Sequence, residues 1–98
     1  MKERRSEQSL AEFIALCHAA PSTKMLEELF ELFLTHEELE QLAGRHEIVQ
    51  ALLQGKLTQR EITEKFGVSI TQVSRGSNSL KSAKDALKSF LQRWRSAS

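Results

Sequence analysis

Ninety-eight residues, 40% of them apolar, make at most one domain and exclude a disordered chain. The formal net charge of +1 hides an uneven distribution: residues 1–54 carry five basic and ten acidic side chains, net −5, whereas residues 55–98 carry nine basic and three acidic, net +6. A basic second half suits a surface that faces phosphate.

No apolar run approaches the roughly 20 residues of a membrane span, and the charged stretch from Met1 to Glu12 predicts no signal peptide. The expectation is a soluble, cytoplasmic protein. Cys17 is alone, so no internal disulfide forms, and it reads as a small core hydrophobe. His18 and His46 have no metal-ligand spacing with each other or with Cys17. There is no phosphate-binding glycine loop and no paired nucleophile and base at a recognisable spacing. Neither an enzyme nor a metal protein is expected.

In chain order, residues 1–6 are polar and basic and read as a flexible arm. Leu10, Phe13, Ile14, Leu16 and Cys17 space like one face of a helix running from Ser6 or Ser9 to Ala20, which Pro21 ends. Ser22 or Thr23 caps the next helix. Met25, Leu26, Leu29, Phe30, Leu32, Phe33 and Leu34 make that helix apolar over most of its circumference, so it requires burial on more than one side. A dimer core meets that need more readily than a monomeric bundle. Thr35, followed by Glu37 and Glu38, starts a third helix with carboxylates where its dipole favours them. Leu39, Leu42, Ile48, Val49, Leu52 and Leu53 continue it to Gly55, with Gly44 inside at a cost of about 1 kcal/mol against alanine.

Residues 58–82 hold two helix starts with one glycine between them. Thr58 with Glu61, and Ser69 with Gln72, form capping boxes, and Leu57 with Ile62 and Val68 with Val73 form hydrophobic staples. Gly67 stands where a left-handed residue must end the first helix. The pattern predicts a helix-turn-helix reading head. Its inward positions are Ile62, Phe66, Val68 and Val73, with Thr63 where the two helices touch. Its outward second helix carries Ile70, Thr71, Ser74 and Ser77, with Gln72 and Arg75 beside them. That helix is expected to enter a major groove, while Gln59 and Arg60 reach phosphates. Gln59, Arg60, Thr63, Ser69, Ile70, Thr71, Gln72 and Ser74 form the expected DNA-binding set. After a break at Lys81-Ser82-Ala83, a last helix from Lys84 to Trp94 presents Leu87, Phe90, Leu91 and Trp94 on one face. The total is six helices and no strand.

The run Arg75-Gly76-Ser77-Asn78-Ser79-Leu80-Lys81, behind Leu57-Thr58-Gln59-Arg60-Glu61-Ile62, strongly resembles the tryptophan repressor family, without gaps from about Phe13 to Phe90. The resemblance implies an intertwined all-helical homodimer that binds double-stranded operator DNA, with L-tryptophan as corepressor and no metal. It also implies the ligand residues. Arg45 and Arg75 match two arginines that sandwich the indole, and Arg75 also pairs with the carboxylate. Thr35 matches a residue that helps to hold the carboxylate, and Ser79 a hydroxyl near the ammonium. Leu32 and Leu34 match positions whose backbone carbonyls, from the other subunit, accept from the ammonium. Gly76 matches a glycine that leaves room for the ring. Thr71 stands where the best-known family members have alanine, Gln72 where they have threonine, and His36 where proline is usual. Two other functions fit the residues: a ligand-independent helix-turn-helix protein, or a helical dimer that binds a protein partner through its second helix.

Overall fold

The computed structural model describes residues 2–97, and within them six helices in the order α1 Lys2–Ala19, α2 Thr23–Phe33, α3 His36–Gln54, α4 Gln59–Phe66, α5 Ile70–Ser82 and α6 Asp85–Ala97. The fold class is all-α. Met1 and Ser98, the ends of the expected single domain, lie outside the described residues. The chain forms two compact units, one up to Leu39 and one from Glu40 onward, with the boundary inside α3.

In the first unit, α1 begins at Lys2 rather than at Ser6 or Ser9, so residues 2–6 of the expected arm are helical. The polar run from Lys2 to Gln8 is made mostly of straight-chain residues with high helix propensity, which carry a helix without any apolar stripe. At the other end the Ala20 N–H donates to the Cys17 carbonyl at 3.2 Å. The Ser22 hydroxyl then accepts from the Met25 N–H at 3.1 Å and starts α2. Phe13 of α1 meets α2 through Phe33, edge-on at 5.1 Å between centroids, and through Phe30 at 6.3 Å. No residue of α2 is buried in this single chain, and Leu32 is 77% exposed.

The second unit holds the core. Ile48 and Ala51 of α3, Ile62 of α4 and Val73 of α5 are buried, flanked by Leu52, Leu57, Phe66 and Val68. Burying a side chain such as Ile62 or Val73 is worth about 1.5–3 kcal/mol. Both capping boxes form. Thr58 Oγ1 accepts from the Glu61 N–H at 3.1 Å while Glu61 Oε1 accepts from the Thr58 N–H at 2.9 Å. Ser69 Oγ accepts from the Gln72 N–H at 3.1 Å while Gln72 Oε1 accepts from the Ser69 N–H at 2.9 Å. The staple residues Leu57 and Val68 pack on the same core as Ile62 and Val73. Gly67 ends α4 at φ 65° and ψ 31°, its N–H donating to the Thr63 carbonyl at 3.0 Å.

Helix α6 is tied to the ends of its neighbours. Arg95 Nη1 donates to Gln50 Oε1 at 3.0 Å, Gln92 Nε2 to the Leu53 carbonyl at 3.4 Å and Lys88 Nζ to the Lys81 carbonyl at 3.3 Å. Trp94, expected on the apolar face of the last helix, is half exposed and sets its ring edge-on to His46 at 6.1 Å.

Two outcomes are expected. Gly67→Ala places a Cβ in the left-handed region and should cost about 1–2 kcal/mol in a urea unfolding titration. The Glu61 carboxyl is held below its ordinary value of 4.5, first by its hydrogen bond from the Thr58 backbone and then by the Thr58 hydroxyl. A depressed pKa stabilises the fold above the unfolded value and loses that contribution as pH falls through the folded value. Glu61→Gln keeps a capping acceptor, so its Tm should fall less steeply than that of the wild type below about pH 4.5.

Candidate nucleic-acid interface and ligand site

The candidate interface is built on α4, the turn Gly67-Val68-Ser69 and α5. Gln59, Arg60, Ser69, Ile70, Thr71 and Gln72 are exposed, whereas Thr63 and Ser74 are half-buried. Thr63 bonds within its own helix, and Ser74 bonds across the joint between the helices. Thr63 Oγ1 donates to the Gln59 carbonyl at 3.1 Å, and Ser74 Oγ donates to Gln59 Oε1 at 3.4 Å. Gln59 therefore links α4 to α5 as well as starting α4. Ile70 is 51% exposed at the first position of α5, where an apolar side chain suits the methyl group of thymine. Arg60 lies 3.8 Å from Glu64, one turn further along α4, and both side chains are open to solvent.

Ser77 corrects the sequence reading. It was expected on the outward face of the second helix, but it is buried at 8% exposure. It borders a cleft with Leu52, Leu53, Leu80, Lys81, Lys88 and Gln92. The rotation of α5 is set by its neighbour Gly76, where helix and core meet too closely for any other inward residue. A Cβ at Gly76 would stand 2.8 Å from Ile48 Cγ2, 3.7 Å from Leu52 Cδ1 and 3.9 Å from Arg45 Cδ. The absent side chain at Gly76 thus lets α5 approach α3.

Of the residues implied to hold a ligand, Arg45, Arg75, Gly76 and Ser79 belong to the second unit and Leu32, Leu34 and Thr35 to the first. Gly76 brings α5 against the stem of Arg45. Arg75 and Ser79 are exposed on the same helix, four residues apart and hence on one face. The guanidinium planes of Arg45 and Arg75 can stack on an aromatic ring and pair with a carboxylate. In the first unit, Leu32 is in the last turn of α2 and Leu34 is its extended C-cap, positions where carbonyls lack an intrahelical donor. Thr35 caps α3: its Oγ1 accepts from the Glu38 N–H at 3.0 Å, and Glu38 Oε1 accepts from the Thr35 N–H at 2.8 Å. Its hydroxyl proton stays available to an acceptor. Ile48 was not singled out from the sequence as part of this region. The signal was its place one turn after Arg45 on the apolar face of α3.

Among the described residues no group of His, Cys, Asp and Glu side chains could hold a metal ion, and no helix is long and apolar enough to cross a membrane. The described residues form an all-helical chain that exposes the starts of two capped helices, α4 and α5. Its class follows from comparison: residues 8–95 match the Trp repressor protein family, a family of transcriptional repressors, and the chain belongs to it. A Trp operon repressor homolog of Chlamydia trachomatis serovar L2 is 46% identical over 91 residues, covering 93% of this chain and 97% of that one. The Trp operon repressor homolog of Chlamydia caviae is 45% identical over 92 residues, covering 94% and 91%. That of Vibrio cholerae serotype O1 is 36% identical over 91 residues, covering 93% and 88%.

Two glycines should respond oppositely to alanine. Gly76→Ala gains about 1 kcal/mol of helix propensity but overpacks against the fixed Ile48, at about 1–3 kcal/mol; a lower Tm is expected. At Gly44 a Cβ meets nothing within 4 Å inside the chain. Gly44→Ala should therefore raise stability by up to about 1 kcal/mol, measured by the same thermal melt.

Proposed function

We propose that this member of the family is an L-tryptophan-dependent repressor that acts in the cytoplasm and binds two-fold symmetric operator DNA as a homodimer. The observation that carries the reading is the crossing at Gly76, which joins the stem of Arg45 to the helix bearing Arg75, Ser79 and the exposed reading residues. A ligand held by Arg45 and Arg75 touches the mount of the reading helix, so its binding and the position of that helix are linked. L-tryptophan matches the donors: its ring between guanidinium planes, its carboxylate on Arg75 and Thr35, its ammonium near Ser79 and on the Leu32 and Leu34 carbonyls of the second subunit. Membership of the Trp repressor protein family supports that choice of ligand.

A homodimer is supported by what one chain leaves uncovered. Leu10 and Ile14 of α1, Leu32 and Phe33 of α2, and Phe90 and Trp94 of α6 are each at least half exposed. Apolar surface on this scale marks an interface. Two heads related by a two-fold axis reach successive major grooves, roughly 34 Å apart. Without ligand the heads are wrongly spaced. Ligand binding favours the competent spacing, and DNA in turn tightens the ligand. The exposed α2 also suits a helical dimer that binds a protein partner, but such a protein needs no DNA affinity that falls with salt.

The test measures binding to a palindromic duplex resembling a tryptophan operator, with and without L-tryptophan, at two salt concentrations. Affinity should rise with ligand by about 5–150-fold, and unchanged affinity would falsify the corepressor reading. Arg75→Ala should abolish that response while sedimentation still gives a species of twice the 11.1 kDa chain mass.

A further inference from the structure

We infer that Glu64 is a specificity-determining residue of the reading head: its carboxylate offsets the charge of Arg60 beside it and so weakens the head's attraction to the phosphate backbone at large. This rests on the DNA-binding reading proposed above.

Arg60 alone is charged among the eight residues assigned to DNA. Its guanidinium Nε lies 3.8 Å from Glu64 Oε1, one turn away on the same helix, with the two side chains 89% and 71% exposed. The other ionic groups of α4 are engaged elsewhere. The Glu61 carboxylate accepts from the Thr58 N–H within the capping box, and the Lys65 ammonium stands over the Phe66 ring at 5.6 Å. Arg60 also occupies the first turn of α4, where the helix dipole repels a cation and favours a nearby anion.

The pair has no net charge, so it contributes little to the counterion release that drives sequence-independent binding. A phosphate that reaches the exposed Arg60 guanidinium meets the nearby Glu64 carboxylate as a like charge. Contacts to base edges from Ile70, Thr71 and Gln72 do not pass through this pair. Glu64 therefore lowers binding to arbitrary duplex more than binding to a matched site. An exposed pair at this distance is weak, so the effect is modest in size and disappears at high salt.

Glu64→Gln keeps the side-chain length at an exposed position, and circular dichroism verifies the fold. The probe is a random-sequence duplex, with affinity followed from 50 to 200 mM salt. The variant should bind more tightly at the low end. It should also lose affinity faster, by about 3.5-fold more across that range, as expected for about one further neutralised phosphate. Arg60→Ala and Arg60→Ala/Glu64→Gln complete the cycle, and the gain from Glu64→Gln should shrink when Arg60 is absent. An unchanged salt slope in Glu64→Gln, with the wild type binding normally, overturns the proposal and leaves the DNA reading standing. A gain that persists in full without Arg60 overturns it too, because Glu64 would then act by repulsion alone. Failure of both wild type and variant to bind any duplex, the tryptophan-operator-like one included, overturns the DNA reading and the proposal with it.

Discussion

At the crossing of α5 over α3 there is no space for a side chain. The Cβ that any residue but glycine would place at position 76 stands 2.8 Å from Ile48 Cγ2, inside ordinary contact distance. Ile48 is 1% exposed and branched at Cβ, so it has nowhere to go. This contact fixes how α5 is turned about its axis. Ser77 follows Gly76 into the interior, whereas Arg75 and Ser79 stay in solvent and Ile70 to Gln72 remain exposed at the start of the helix. The same steric requirement places the exposed residues at the start of α5 and the two α5 residues proposed to meet the ligand.

The two units differ in what holds them. From Glu40 onward, three helices contribute buried side chains to one core, and α6 adds hydrogen bonds to the backbone near the ends of α3 and α5. Up to Leu39, contact rests on Phe13 against Phe30 and Phe33, and none of the core residues belongs to this unit. The 11-residue α2 is marginal in water without tertiary burial, and the first unit leaves Leu10, Ile14, Leu32 and Phe33 each more than half exposed.

Much of the fold was legible because it is written locally. Thr58 with Glu61, Ser69 with Gln72, and Gly67 between them are short-range signals whose hydrogen bonds and left-handed turn form as their spacing predicts. Ser22 and Thr35 behave likewise at the starts of α2 and α3. The start of α1 was not legible, because Lys2 to Ser9 carries no apolar period and helix propensity alone extends the element. Nor was the burial of Ser77. A serine beside a glycine carries no sign of its facing, which comes from the close approach of Gly76 to Ile48, far earlier in the sequence. Arg45 had no local signal of a binding role and entered only through family resemblance. Its proximity to Gly76 is a tertiary fact.

The capping box of α5 also fixes the direction of a side chain. Gln72 accepts at its carbonyl oxygen from the Ser69 N–H, and Gln59 accepts at its own from the Ser74 hydroxyl. Each carboxamide is thereby oriented, its NH2 group turned away from the bond and its oxygen keeping a second lone pair. Two side chains that carry no direction as letters are given one by the hydrogen bonds that secure the helices bearing them.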